Sequence, residues 1–205
     1  MLCLAAAVLV IVPTVDVLMT GPLRRWDQRL MLGPGGLEVT GWAHLFWRVV
    51  VMAGQFWLVG SIVTVTAVIV AFRHRSLKLF VAFGVWIIVL NVVVQVFKMI
   101  IGRTAPHSRA DLLHAGTLSY PSGHAALGAA CLLMTAALLS PDLAPRTARR
   151  VTLTAHVLAL GASIATVLLA YHWPTDSIAG WALGVLLAIA GRYVVAYALR
   201  ASRSA

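Results

Sequence analysis

The chain has 205 residues, of which 61% are hydrophobic and only 11% charged, with a mean hydropathy of +0.93. A soluble domain carries about 25% charged residues, so a secreted domain, a cytosolic enzyme and a disordered adaptor are excluded. The net charge of +10, from 16 basic and 6 acidic residues, sits in short clusters between apolar runs. That placement points to membrane topology and lipid headgroups and away from nucleic acid.

A membrane helix takes about 20 residues. The expected fold class is therefore all-α: a polytopic membrane protein with six transmembrane helices in a single bundle, residues 1–205 forming one domain. The first run, Leu2 to about Met19, contains Pro13 and Asp16. It lacks a charged n-region and a small-residue cleavage signal, so it reads as a retained span. Segment 20–44 carries Arg24, Arg25, Asp27 and Arg29 beside Trp26, Leu30, Met31 and Leu32. It is a candidate interfacial amphipathic helix ending at Gly33-Pro34-Gly35-Gly36. The second span runs from about Leu45 to Phe72 and is closed by Arg73-His74-Arg75; the third runs from about Leu79 to Ile101 and is broken by Gly102. A polar stretch, Arg103 to Tyr120, follows. The fourth span is Ser122 to about Leu139, and a loop then holds Pro141, Asp142, Pro145, Arg146, Arg149 and Arg150. Val151–Tyr171 and about Ile178–Leu199 complete the set. Cys3 and Cys131 fall inside apolar runs, with neither metal spacing nor a disulfide framework.

Six spans put both termini on one side. The basic clusters Arg73/Arg75/Lys78, Arg146/Arg149/Arg150 and Arg200/Arg203 assign that side to the cytoplasm. Loops 20–44, 102–121 and 172–177 then face outward. The first fits poorly because of its three arginines, with Asp16 and Asp27 as available partners. Arginine outnumbers lysine 14 to 2, a bias of GC-rich bacterial genes, so the expected location is a bacterial inner membrane.

Ionisable residues at span ends are costly and mark functional sites. Lys98 ends the third span, Pro121-Ser122-Gly123-His124 opens the fourth, and His172-Trp173-Pro174-Thr175-Asp176 joins the last two. All three lie on the outward side. Ser122 suits a helix N-cap, and free amides from Gly123 onward suit an anion. Lys98 adds a point charge and Arg103 a guanidinium fork. Two histidines on different spans offer a nucleophile and an acid. Asp176 is placed to accept the Nδ1 proton of His172, which leaves Nε2 as the attacking lone pair. These parts suggest phosphoryl transfer through a phosphohistidine. Taken singly, each is also what a helix cap, a local hydrogen bond or a snorkelling anchor looks like; their order and common side distinguish them. A zinc site from His124, His172 and Asp176 lacks a third histidine. His44, His74, His107, His114 and His156 read as structural or loop residues.

On these residues the chain resembles the type 2 phosphatidic acid phosphatase (PAP2) superfamily. Its signatures are Lys, six residues, Arg-Pro; then Pro-Ser-Gly-His; then Ser-Arg, five residues, His, three residues, Asp. Pro121-Ser122-Gly123-His124 matches the second completely, Lys98 and Pro106 match the first, and His172 and Asp176 match the end of the third. The resemblance spans about 79–199. It implies His172 as nucleophile, Asp176 as its orienter and His124 as general acid. It also implies Lys98, Ser122 and the Gly123 amide as phosphate contacts, with no metal or other cofactor.

Two departures stand out. The arginine of the first signature falls on Ala105, and the Ser-Arg of the third on Ala165-Thr166. Losing a preorganised donor from a phosphoryl transition state costs on the order of 100-fold. Arg103, two residues before Ala105, is the expected substitute, with Arg109 a second one from the loop. The expected activity is hydrolysis of a phosphatidic-acid-like or polyprenyl (di)phosphate at the outer leaflet. The alternatives are a lipid phosphotransferase or headgroup synthase using the same triad, and a PAP2-fold protein with weakened catalysis.

Overall fold

In the computed structural model, residues 1–33, 37 and 39–203 are described, with side chains placed through 198. The elements are α1 (Leu2–Leu18), α2 (Pro22–Leu32), α3 (Gly41–Val50), α4 (Phe56–Arg73), α5 (Leu77–Ile101), α6 (Gly123–Leu139), α7 (Pro145–Leu168) and α8 (Pro174–Arg203), with short 3-10 turns between some of them. Local chemistry sets their ends. The Ser76 hydroxyl accepts the Leu79 N–H at 3.1 Å and starts α5. Gly102, left-handed at φ +54°, ends α5 and returns its N–H to the Lys98 carbonyl, the turn at which glycine is favoured. Proline occupies the first position of α2, α7 and α8, where its missing N–H leaves no bond unmade.

Five stretches are long and apolar enough to cross a membrane: Gly41–Arg73, Leu77–Ser108, Gly123–Asp142, Pro145–Leu168 and Pro174–Ala198. α1 joins α2 at an angle of 79°, and this bent pair is a candidate sixth. The chain is thus an all-helical multi-pass membrane protein. Outward-facing Val65, Ile69, Val81, Val85, Ile88 and Val92 are exposed, as side chains that meet lipid must be.

α6 is the most enclosed helix. The first half of its buried face is made of Ala125, Ala126, Gly128, Ala129 and Ala130, and α4, α7 and α8 pack around it. Small residues let helix backbones approach in a medium where burial between apolar surfaces gives little driving force. A Cβ on Gly180 would stand 2.5 Å from the Ser122 carbonyl oxygen, and one on Gly184 2.3 Å from that of Ala126. Glycine at both positions therefore lets α8 lie directly on the first turns of α6. Farther along, Trp86 Nε1 on α5 donates to the Leu187 carbonyl on α8 at 2.8 Å.

Several boundaries differ from expectation. The second span does not begin near Leu45 as one helix. It starts with α3, turns through Val51–Gly54 and an extended Gln55, and continues as α4. The turn seats Gly54 against the His124 backbone, where a Cβ would stand 2.8 Å from the carbonyl oxygen. Arg146, Arg149 and Arg150 are not in a loop but in the first turns of α7, which Pro145 initiates. Asp176 lies in the first turn of α8. Segment 20–44 does contain a helix, α2, ending before Gly33; Pro34, Gly35 and Gly36 lie outside the described residues. The amphipathicity of α2 is inverted. Arg24 and Asp27 are buried, while Trp26 and Leu32 are exposed. The side chains of Arg200 and Arg203 also lie outside the described residues.

Candidate active site

Lys98, the start of α6 and the α7–α8 turn meet at one end of the bundle. Ser122 caps α6: its Oγ accepts the Ala125 N–H at 3.3 Å, and its own N–H donates to the Asp176 carbonyl at 2.9 Å. The helix start is thus pinned to α8. Lys98 reaches the same place. Its Nζ donates to the Leu118 carbonyl, and a Cβ on Gly123 would lie 3.8 Å from that nitrogen.

The His124 and His172 rings lie edge-on to each other, with centroids 6.2 Å and planes 64° apart. His124 Nε2 is buried and makes no hydrogen bond among the described residues. The other ring is held from behind, in a way the sequence did not suggest. His172 Nδ1 stands 3.7 Å from Asp176 Oδ2, too far for a hydrogen bond. Ser119 fills the gap, with its Oγ 3.2 Å from Nδ1 and donating to Asp176 Oδ2 at 2.6 Å. A hydroxyl that gives its proton to the carboxylate can only accept from Nδ1. The arrangement therefore selects the tautomer with the proton on Nδ1 and a lone pair on Nε2. The expected direct contact of Asp176 with His172 is replaced by one relayed through Ser119.

Asp176 is fixed by its own helix. At the third position of α8 it accepts the Trp173 N–H at 3.3 Å, half of a capping box, where the helix dipole favours a carboxylate.

Arg103 is the largest departure from expectation. Gly102 turns it inward, as the break in the span suggested, but towards carboxylates and not towards a phosphate. Nε donates to Asp111 Oδ1 at 2.9 Å, Nη1 to Asp176 Oδ1 and Thr175 Oγ1 at 2.8 Å each, and Nη2 to Asp27 Oδ2 and Asp111 Oδ2 at 2.9 Å each. A guanidinium has five N–H donors, and all five are used. The group is fully buried and lies over the Trp173 ring, Cζ 4.8 Å from its centroid. Arg103 therefore has no donor left for substrate, and the clamp role expected for it is not supported. Arg109 is exposed at φ +53°.

The other lost positions are equally closed. Thr166 is fully buried; its hydroxyl pairs with Ser177 Oγ at 2.8 Å and its carbonyl accepts the His172 N–H at 3.1 Å. It serves the α7–α8 turn. Ala165 is buried beside it.

α2 completes the constellation from outside the signatures. Asp27 accepts the Thr175 N–H at 3.1 Å and the Thr175 hydroxyl. Arg24 Nε donates to Asp111 Oδ2 at 2.9 Å and its Nη2 to the Asp111 carbonyl at 2.7 Å. Asp16 accepts the Arg24 N–H at 2.7 Å. Arg24 is thus paired with Asp111, the carboxylate that also binds Arg103. Burial pushes the Asp111 carboxyl up, but the hydrogen bonds and charges of Arg103 and Arg24 outweigh it and hold it below the usual carboxylate range.

Ser119, Asp111 and Trp173 were not singled out from sequence, and Asp27, expected to pair with an arginine of its own segment, pairs with Arg103 instead. One signal was present. The chain has only 6 acidic residues, and three of them converge on one guanidinium. In so apolar a chain every carboxylate needs a stated partner.

Fold and site together define a multi-span helical membrane protein with two histidines edge-on to each other at a helix start. The chain belongs to the PAP2 superfamily, whose family model matches residues 79–200. Its fold is similar to the crystal structure of the first transmembrane PAP2 type phosphatidylglycerolphosphate phosphatase from Bacillus subtilis, with 21% identity, 92% of this chain and 94% of that one covered, and a TM-score of 0.75. No curated protein matches the sequence.

Proposed function

We propose that this protein is a lipid phosphate phosphatase working through a phosphohistidine on His172, at the outer face of a bacterial inner membrane. The observation that carries the reading is the edge-on pair of histidines, 6.2 Å between ring centroids, with Lys98 and the α6 amides alongside. His172 Nε2 attacks phosphorus as the bond to the lipid alkoxide breaks, and His124 gives that alkoxide its proton. Water then attacks the phosphohistidine while His124 takes a proton from it, releasing phosphate and restoring His172. Lys98 and the amides from Gly123 onward hold the phosphoryl oxygens, with Ser122 fixing the helix start. Arg103 is a positioning residue: it acts through Asp176 and Ser119 on the orientation of His172. The whole chain, α1 and α2 included, works as one unit. The substrate class is a phosphatidic-acid-like, phosphatidylglycerolphosphate-like or polyprenyl phosphate, and the reaction needs no metal.

The test is release of inorganic phosphate from a panel of lipid phosphates by purified protein in detergent. Turnover of at least one, abolished in His172→Ala, supports the reading; the absence of turnover across the panel overturns it.

One observation favours a second reading. With Ala105 and Thr166 in place of arginines and Arg103 saturated, Lys98 carries the cationic charge at the mouth of the site. A phosphodiester carries less charge than a monoester, so this balance suits headgroup transfer to a lipid hydroxyl. Exchange of headgroups without free phosphate would identify it.

A further inference from the structure

The end of the bundle opposite the histidines holds a cavity of about 520 Å³ between α6, α7 and α8, with Leu2 of α1 at its edge. Two helix stripes line it. Arg149, Thr152 and His156 stand on one face of α7 at the spacing of successive turns. Val185, Ala188, Ile189 and Arg192 stand on the facing stripe of α8, and Leu133 and Ala137 of α6 form the floor. The cavity is apolar along most of its wall and basic at its rim. Neither Asp nor Glu is among the lining residues. Among the described residues, the side chains of Arg149, Arg192 and His156 make no hydrogen bond or ion pair. Asp142 is not among the lining residues, and its Oδ1 lies 3.5 Å from His74 Nε2.

We propose that this cavity is a binding site for an anionic phospholipid of the leaflet away from the catalytic histidines. The two guanidiniums take the headgroup phosphate, and an acyl chain lies against Leu133, Ala137, Val185 and Ile189. Charge and shape both argue for it. Two arginines from different helices converge on one opening, and guanidiniums suit phosphate oxygens. Basic pockets between transmembrane helices are also the places where anionic headgroups settle. The apolar wall selects a lipid over a free anion. Arg146 and Arg150 lie on the same helix end but do not line the cavity, so a general attraction of basic residues to the membrane surface makes a different prediction from a site.

The experiment titrates purified protein in detergent with phosphatidylglycerol, phosphatidylcholine or inorganic phosphate, and reads the melting temperature and the lipid retained in native mass spectra. Phosphatidylglycerol should raise the melting temperature and be retained, whereas phosphatidylcholine and inorganic phosphate should do neither. The double variant Arg149→Gln/Arg192→Gln should bind phosphatidylglycerol about tenfold or more weakly. The double variant Arg146→Gln/Arg150→Gln, with the same loss of charge, should bind as the wild type does. Arg149→Lys/Arg192→Lys, which keeps the charge, should retain part of the affinity and guards against misfolding of the glutamine variant. Equal loss in the two glutamine variants, equal retention of phosphatidylcholine, or a shift produced by inorganic phosphate alone would each overturn the proposal.

Discussion

Arg103 Nη1 donates to Asp176 Oδ1 at 2.8 Å, tying the residue after the α5 break to the first turn of α8 across 73 positions of sequence. The same guanidinium holds Asp27 and Asp111, so one cation joins α2, the loop after α5 and the carboxylate behind His172. Removing a buried partner strands the charges it served, at a cost of about 3–5 kcal/mol. Arg103→Gln should therefore lower stability strongly and lower kcat with little change in KM, because the residue touches no substrate. A large rise in KM with kcat preserved would mean that it binds phosphate after all.

The Ser119 hydroxyl sets the tautomer of His172 through Asp176. Hydrogen bonds to charged groups are worth about 1.5–3 kcal/mol, so Ser119→Ala should reduce kcat by about tenfold to a hundredfold. Ser119→Thr keeps the hydroxyl and should recover part of that rate. Asp176→Asn should be more damaging than Ser119→Ala and less so than His172→Ala, which removes the proposed nucleophile. Wild-type turnover in Ser119→Ala would show that the relay is dispensable.

Brief reaction with a lipid carrying labelled phosphate, followed by quenching in base, should leave label on the protein that acid then removes, as expected of a phosphohistidine. His172→Ala should carry none. His124→Ala should still carry label when the leaving group is a good one, such as a nitrophenolate, and little when it is an alkoxide. Label in His172→Ala would move the nucleophile elsewhere.

Acid should loosen the α2 attachment. The Asp111 carboxyl is held below its ordinary value, so its contribution is fully present above the unfolded carboxylate value of about 4. It is lost as pH falls through the folded value. The melting temperature of the wild type should exceed that of Asp111→Asn by a constant amount from pH 8 down to about pH 5. The gap should close as pH falls below about 4. A gap that widened in acid would contradict this ion-pair geometry.

With the phosphoryl charge met by Lys98 and the α6 amides, as proposed, a chelator should leave the rate unchanged. A rate that collapsed with chelator and returned with zinc or magnesium would require metal-assisted chemistry.

Much of the fold was legible because apolar run length is a strong signal. The ends of α1, α5 and α6 fall within a residue or two of expectation. Less legible were the α3–α4 break, where Gly54 packs against His124 from a distant helix, and the early start of α7, where Pro145 initiates a helix among arginines. Pro-Ser-Gly-His announced the α6 end of the site through its own spacing. Arg103 was noticed for its charge and misassigned for its target, because its partners Asp27, Asp111 and Asp176 come from three separate segments. Ser119 could not be told from any loop serine until the fold placed it between two side chains.

The carboxylate cluster has a consequence for how the protein is made. Asp27 leaves the ribosome well before Arg103, and Arg103 well before Asp176, while chains are synthesised at about 5–20 residues per second. For several seconds the nascent chain holds the Asp27 carboxylate of α2 without the guanidinium of Arg103. It then holds a guanidinium with only part of its final ligation. Gly180 and Gly184 can bring α8 onto α6 only once the last hairpin has entered the bilayer, and that event seats Asp176. The machinery behind His172 is therefore closed by the final insertion step, so a nascent chain stalled before α8 would carry His124 and Lys98 in a bundle still unable to orient a nucleophile.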